Sequence, residues 1–140
     1  MINDVTPSDG YGNIDHVILS PKGIFVIETK NFKGKITCQR DLWSRRSGGK
    51  IGSPSIQAKR NASKIYKIIK SLEKFKSSSL WVEPIVVFSN LESELTLNEQ
   101  TVAIKNPCTL SNYIMNYEGE KQFSPKDLDL IGNEILHQTS

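Results

Sequence analysis

The succession of patterns along the 140-residue chain predicts an α/β fold, a single domain built on a central mixed sheet flanked by helices. Three observations carry that prediction. Apolar segments joined by tight turns run from Ile14 to Arg46, as in an antiparallel meander of three to four strands. A long helix follows, marked by one apolar stripe between Ser53 and about Lys74. Val82 to Phe88 is then apolar almost throughout, which reads as a further strand buried on both faces. The length suits one domain with a real core and is short for two. That single domain is expected over residues 1–140, with its core at about 12–105 and a C-terminal helical part at 106–140.

The first thirteen residues, with Pro7, Gly10 and Gly12 among small polar neighbours, read as a loose lead-in. Ile14 to Leu19 is the first strand of the meander. Ser20-Pro21-Lys22-Gly23 fits a type I turn, with Pro at its second position and Gly at its fourth. Ile24 to Lys30 returns antiparallel, Lys35 to Arg40 alternates as a third strand, and Asp41-Leu42 connects to Trp43 through Arg46. Ser47-Gly48-Gly49 ends the meander. Ser53 is a good N-cap and Pro54 is tolerated at the first helical position. Ala58, Ala62, Ile65, Ile69 and Leu72 then form the inward stripe, with Arg60, Lys64, Lys67 and Lys74 roughly opposite and Gln57 at the border beside Asn61. Thr101 to Lys105 is a short strand, and Thr109 or Ser111 opens a brief helix through Tyr117. Ser124-Pro125 caps a last helix that turns Leu128, Ile131, Ile135 and Leu136 inward.

Composition narrows the class of protein. At 37% hydrophobic and 24% charged, the chain is an ordinary globular one. No apolar run approaches the roughly 20 residues that cross a bilayer. The start lacks the basic-then-apolar pattern of a signal peptide, and Cys38 and Cys108 lack metal-ligand spacing, so a cytoplasmic protein with two free thiols is expected. The net charge of +3 conceals an asymmetry: residues 1–80 hold 15 Lys and Arg against 6 Asp and Glu, while residues 81–140 hold 3 against 9. A basic half of this kind suits a polyanionic partner, against the plain alternative of a solvated lysine-rich helix face.

The stretch that breaks the buried pattern is Glu28-Thr29-Lys30, at the end of the apolar run Ile24-Phe25-Val26-Ile27. Strand side chains alternate, so Glu28 and Lys30 share a face. Charges at the end of a buried strand are costly unless paired or used. Asp15 lies at the mouth of the neighbouring strand. Two carboxylates at one spot can hold Mg²⁺, a hard cation that keeps several waters, and a lysine beside them can orient the attacking water or stabilise charge on phosphorus. A simple ion pair is the competing reading for Glu28 and Lys30, and His16 is expected to be an ordinary strand residue. Trp43 and Trp81 are expected in the core or half-buried rather than as stacking platforms for bases.

IDHVILSPKGIFVIETKNFKGKI, followed by Trp43 and by SPSIQAKR, resembles the nuclease-related domain (NERD) family of the PD-(D/E)xK nuclease-like superfamily, over about Gly12 to Lys70 and loosely through Phe88. The resemblance implies a restriction-endonuclease-like core. It also implies Asp15 and Glu28 as metal ligands, Lys30 as the catalytic lysine, and Gln57 as the polar residue that the following helix aims at the site. The family usually has an upstream helix bearing a glutamate and a first strand, which this chain begins too late to contain, and a glutamate often stands where this chain has Asn13. A second copy supplying those parts would make a homodimer.

The hairpin register decides whether the trio can converge. A three-residue loop pairing Ser20 with Ile24 sets His16 opposite Glu28, whereas a four-residue loop, or a bulge near Asp15, sets Asp15 there. The leading expectation is a Mg²⁺-dependent endonuclease-like domain, with Mn²⁺ as a substitute, that hydrolyses DNA phosphodiester bonds. Lys33, Lys35, Arg45, Arg46, Arg60 and Lys64 would hold the nucleic-acid backbone with little sequence preference. The alternatives are a nucleic-acid-binding module without turnover and a protein-assembly domain that uses the acidic C-terminal half.

Overall fold

The computed structural model describes residues 1–6, 13–46 and 48–139, so the expectations for Pro7, Gly10, Gly12 and Ser47 fall outside the described residues. Two mixed sheets and three helices make up the fold. The first sheet runs in the order β1 (Ile2–Val5), β2 (Ile14–Ser20), β3 (Gly23–Lys30), β7 (Val82–Phe88), β9 (Ala103–Lys105). Its first three strands are antiparallel, and β3, β7 and β9 are parallel. The second sheet has the order β6 (Gly49–Ile51), β5 (Leu42–Arg45), β4 (Gly34–Gln39), β8 (Ser93–Asn98), with β8 parallel to β4. This is the expected α/β architecture with a nuclease-like core.

Several elements differ from expectation. Ile2–Val5 is a strand, antiparallel to β2, so the chain does carry a strand ahead of the meander. The meander also divides: β4 leaves the first sheet after Lys30 and founds the second. Gly34 at φ +93° permits the sharp change of direction there. Gly49 begins another strand instead of ending the pattern, and Ser93–Asn98 is a further strand, alternating half-buried and exposed residues, that the sequence pattern does not predict.

Helix α1 (Pro54–Lys70) begins as its signals require: the Ser53 side chain accepts the Ile56 N–H, and Pro54 occupies the first turn. It stops four residues short of Lys74. The Ser71 hydroxyl donates back to the Ile68 carbonyl, and Leu72 is extended, so a short 3₁₀ turn over Glu73–Phe75 can bury Phe75. Helix α2 (Pro107–Met115) starts earlier than expected, because Asn106 and Thr109 form a capping box. In α3 (Pro125–Thr139), Ile131 and Ile135 are buried and Leu128 packs beside them, whereas Leu136 is exposed, contrary to expectation.

The core lies in three parts. Helices α1 and α3 cover one face of the first sheet through Ile65, Ile69, Ile131 and Ile135 against Val17, Ile24 and Val26. Leu110, Tyr113, Ile114 and Tyr117, from α2 and just beyond it, lie against Phe25, Ile27, Ile85 and Val87 on the other face. The second sheet packs Ile36, Cys38 and Trp43 on Ala58, Val86 and Phe88, with the Trp43 and Phe88 rings stacked at 5.6 Å. Residues Ile24 to Ile27 of β3 are all buried, and each such side chain contributes about 1.5–3 kcal/mol. That strand is held rigidly up to the residues that carry charge.

Candidate active site

Strand β3 delivers its polar end into the junction of the two sheets. Glu28 lies two and four residues along from Val26 and Ile24, so its side chain points to the face covered by α1. It is buried, and Val86 stands level with it on β7. Lys30, two residues on, places Nζ 3.3 Å from Glu28 Oε1, with the ammonium side chain 21% exposed against 6% for the carboxylate. The other carboxylate oxygen, Oε2, is buried with no hydrogen-bond partner among the described residues.

The hairpin takes the register that brings Asp15 to the same place. Pro21 and Lys22 form the bend, Ser20 pairs with Gly23 and Leu19 with Ile24, and the ladder runs to His16 opposite Ile27. One residue beyond the ladder stands Asp15, close enough for its charge to act on Glu28. There a side chain closes the ladder: Asp15 Oδ2 accepts the Thr29 N–H at 2.8 Å. The strand alternation also slips at this point, since Ile14 and Val17, three residues apart, are both fully buried in the same part of the core. Asp4, at the corresponding position of β1, has φ +53°. His16 belongs to the opposite face, with Nδ1 2.6 Å from Asn3 Oδ1. Asn13 accepts a hydrogen bond from the Thr6 hydroxyl at 2.9 Å, joining the ends of β1 and β2.

The electrostatics follow from this placement. Burial pushes the Glu28 carboxyl above its ordinary range, and the neighbouring Asp15 charge pushes it the same way. Lys30 opposes both through its charge and its hydrogen bond without reversing the shift. Lys30 alone therefore leaves the site short of positive charge. Two carboxylates with a buried, unpartnered oxygen fit a hard divalent cation that keeps water for its remaining positions. No cluster of three or more His, Cys, Asp or Glu is present among the described residues, so protein side chains would supply two ligands and water the rest.

The other residues singled out in the sequence are distributed unevenly. Lys33, Lys35, Arg45 and Arg46 gather around one hollow where β4 begins and β5 ends. Arg60 and Lys64 stand apart on α1, Arg60 exposed and Lys64 half-buried. Gln57 is exposed on α1 and makes no side-chain hydrogen bond among the described residues, whereas its neighbour Asn61 is buried toward the sheet. Trp43 is core and donates Nε1–H to the Ser55 hydroxyl at 3.0 Å, while Trp81 is 56% exposed.

Two further residues bear on the site. Phe32, just past Lys30, carries the Arg45 guanidinium over its ring at 4.5 Å and the Lys30 ammonium at 5.9 Å. Asp41, in the turn between β4 and β5, accepts hydrogen bonds from Ser55, Lys59 and Thr101 and so ties the start of α1 to that turn and to the segment before β9. An aromatic two residues after Glu-x-Lys was a weak signal for Phe32. Nothing in the sequence signalled Asp41, whose partners are 14 to 60 residues away.

The model of the family described as "Nuclease-related domain", NERD, matches residues 1–89, from β1 to the residue after β7. The chain belongs to the nuclease-related domain family. No curated protein and no solved structure matches it. The NERD match takes in Asp15, Glu28, Lys30 and the basic hollow, begins before the expected Gly12, and leaves β8, β9, α2 and α3 outside. No described helix is long and apolar enough to cross a membrane.

Proposed function

We propose that this nuclease-related domain hydrolyses phosphodiester bonds of DNA, with Asp15 and Glu28 holding Mg²⁺, or Mn²⁺ in its place, and Lys30 beside the attacking water. The observation that carries the reading is the buried Glu28 Oε2, without a partner among the described residues, close to Asp15 and flanked by Lys30. A buried carboxylate kept only for structure ordinarily has hydrogen-bond partners at both oxygens. Here one is left over at a point where Asp15 makes negative charge still less favourable.

When bound, the cation would supply charge neutralisation at the phosphate and water activation at neutral pH. Asp15 keeps its position through the Thr29 N–H, which occupies Oδ2 alone. Lys30 extends from the same strand as Glu28 and is the more exposed of the two, so it can donate a proton in a hydrogen bond to the water or to a phosphate oxygen. The oxygen of water bonds to phosphorus as the phosphorus–oxygen bond to one deoxyribose breaks. The departing oxygen takes a proton, leaving a phosphate monoester end and a hydroxyl end.

A second reading, binding without turnover, is favoured by one observation, the lack of a third metal-ligating side chain beside the pair among the described residues. Plasmid cleavage separates the two. Nicking that requires Mg²⁺ or Mn²⁺, and falls at least about 100-fold in Lys30→Ala, is the expected result. No nicking with either metal, or nicking that survives Lys30→Ala, would overturn the hydrolytic reading.

A further inference from the structure

Lys33, Gly34, Lys35, Arg45 and Arg46 line a hollow of about 380 Å³ that no carboxylate side chain of the described residues lines. Lys33 is engaged outside it, with Nζ 3.1 Å from Glu92, and Glu94 stands level with Lys35 on β8. Lys35, Arg45 and Arg46 are all exposed and take part in no ion pair among the described residues. Cations concentrated in this way repel one another, and an anion between them removes the cost.

The hollow is coupled to Lys30 by a rigid spacer. The Phe32 ring lies 6.3 Å from Phe88, which is stacked in turn on Trp43, so its position is fixed by the core of the second sheet. Arg45 sits at 4.5 Å from that ring and Lys30 at 5.9 Å, which keeps the two cationic groups within about 10 Å of each other. Phosphates of one strand advance about 3.4 Å along the helix axis per nucleotide, so that reach spans at most about three nucleotides.

We propose that this hollow is a phosphate subsite for the strand being cut, holding a phosphate within three nucleotides of the scissile one, with Arg45 and Arg46 as its principal ligands and Phe32 setting the spacing. The proposal rests on the hydrolytic reading of Asp15, Glu28 and Lys30 and deepens it by giving the strand a path, from Lys30 past Phe32 to the rim of β4 and β5. Arg60 and Lys64 do not line the hollow and lie outside that path.

The test uses the full chain, the double variant Arg45→Gln, Arg46→Gln, and labelled oligonucleotides that each carry one neutral methylphosphonate at successive positions. In EDTA, the logarithm of binding affinity against that of salt concentration should lose about one unit of slope per arginine removed, about two in all. With Mg²⁺, neutralising a phosphate one to three positions from the cut should slow the natural chain about 10-fold and leave the double variant unaffected. An unchanged salt slope, or an equal response of both proteins to the neutral phosphate, would overturn the subsite while leaving the hydrolytic reading intact if the natural chain cuts. A natural chain that binds through the two arginines but never cuts would overturn the hydrolytic reading, and with it any placement relative to a scissile bond. Phe32→Leu keeps an apolar side chain against Phe88 without the ring face, and should shift or blur the position at which neutralisation matters while leaving the salt slope unchanged.

Discussion

Glu28→Gln tests whether the carboxylate is kept for stability or for a ligand. The substitution preserves shape and removes charge from a side chain that is 6% exposed and has one oxygen without a partner among the described residues. Both side chains leave a polar atom there, but an unsatisfied charged group costs more than the roughly 1–3 kcal/mol of a neutral one; the difference, to which the nearby Asp15 charge adds, is on the order of 2 kcal/mol. The opposing loss is the contact with Lys30, whose partial exposure keeps it hydrated and limits that loss to about 1 kcal/mol. The metal-free variant is therefore expected to be more stable than the natural chain by about 1 kcal/mol, which raises Tm by about 4 °C for a domain of this size. The pH dependence has a definite sign. Burial first, and Asp15 second, raise the Glu28 pKa in the folded chain above its unfolded value, so the native state holds its proton longer. Stability of the natural chain then falls as pH rises from the unfolded carboxylate value through the raised one, and the variant lacks that loss. Thermal unfolding followed by circular dichroism in EDTA should show the two proteins alike near pH 4, with the gap opening toward pH 7. Mg²⁺ should raise the Tm of the natural chain alone. A variant less stable than the natural chain at pH 7 in EDTA, or an equal response of both to Mg²⁺, would refute the reasoning and make Glu28 a structural ion-pair partner.

Three further outcomes follow from the surrounding structure. Burial raises the Asp41 pKa, but hydrogen bonds from Thr101, Ser55 and Lys59, together with the Lys59 charge, outweigh it and hold the carboxyl down at about 2. Asp41→Ala should thus lose about 2 kcal/mol in urea unfolding at pH 7, a difference that shrinks as pH falls from the unfolded carboxylate value toward 2. Ser53→Ala removes the side chain that accepts the Ile56 N–H and should cost about 1 kcal/mol by the same measurement. A thiol-reactive dye should label the native chain once, at exposed Cys108, because Cys38 is buried and its pKa is raised by burial and then by Asp41; two labels without unfolding would contradict that packing.

Much of the chain was determined locally. Apolar runs, the Ser53-Pro54 and Ser124-Pro125 helix starts, and the stripe from Ala58 to Ile69 depend on neighbours within a few residues, and they appear where the pattern placed them. The charged interruption at Glu28 and Lys30 was equally visible, because a carboxylate at the end of a fully apolar strand stands out whatever the fold. Tertiary structure alone decided the rest. The register of the β2–β3 hairpin depends on how many turn residues remain unpaired, and one residue's difference would have sent His16 to Glu28 in place of Asp15. The split of the meander into two sheets depends on β4 finding β8, nearly sixty residues away, and that split aligns Phe32 between Lys30 and Arg45. Contacts over such separations leave no periodicity in the sequence, since what they satisfy is burial and charge in three dimensions.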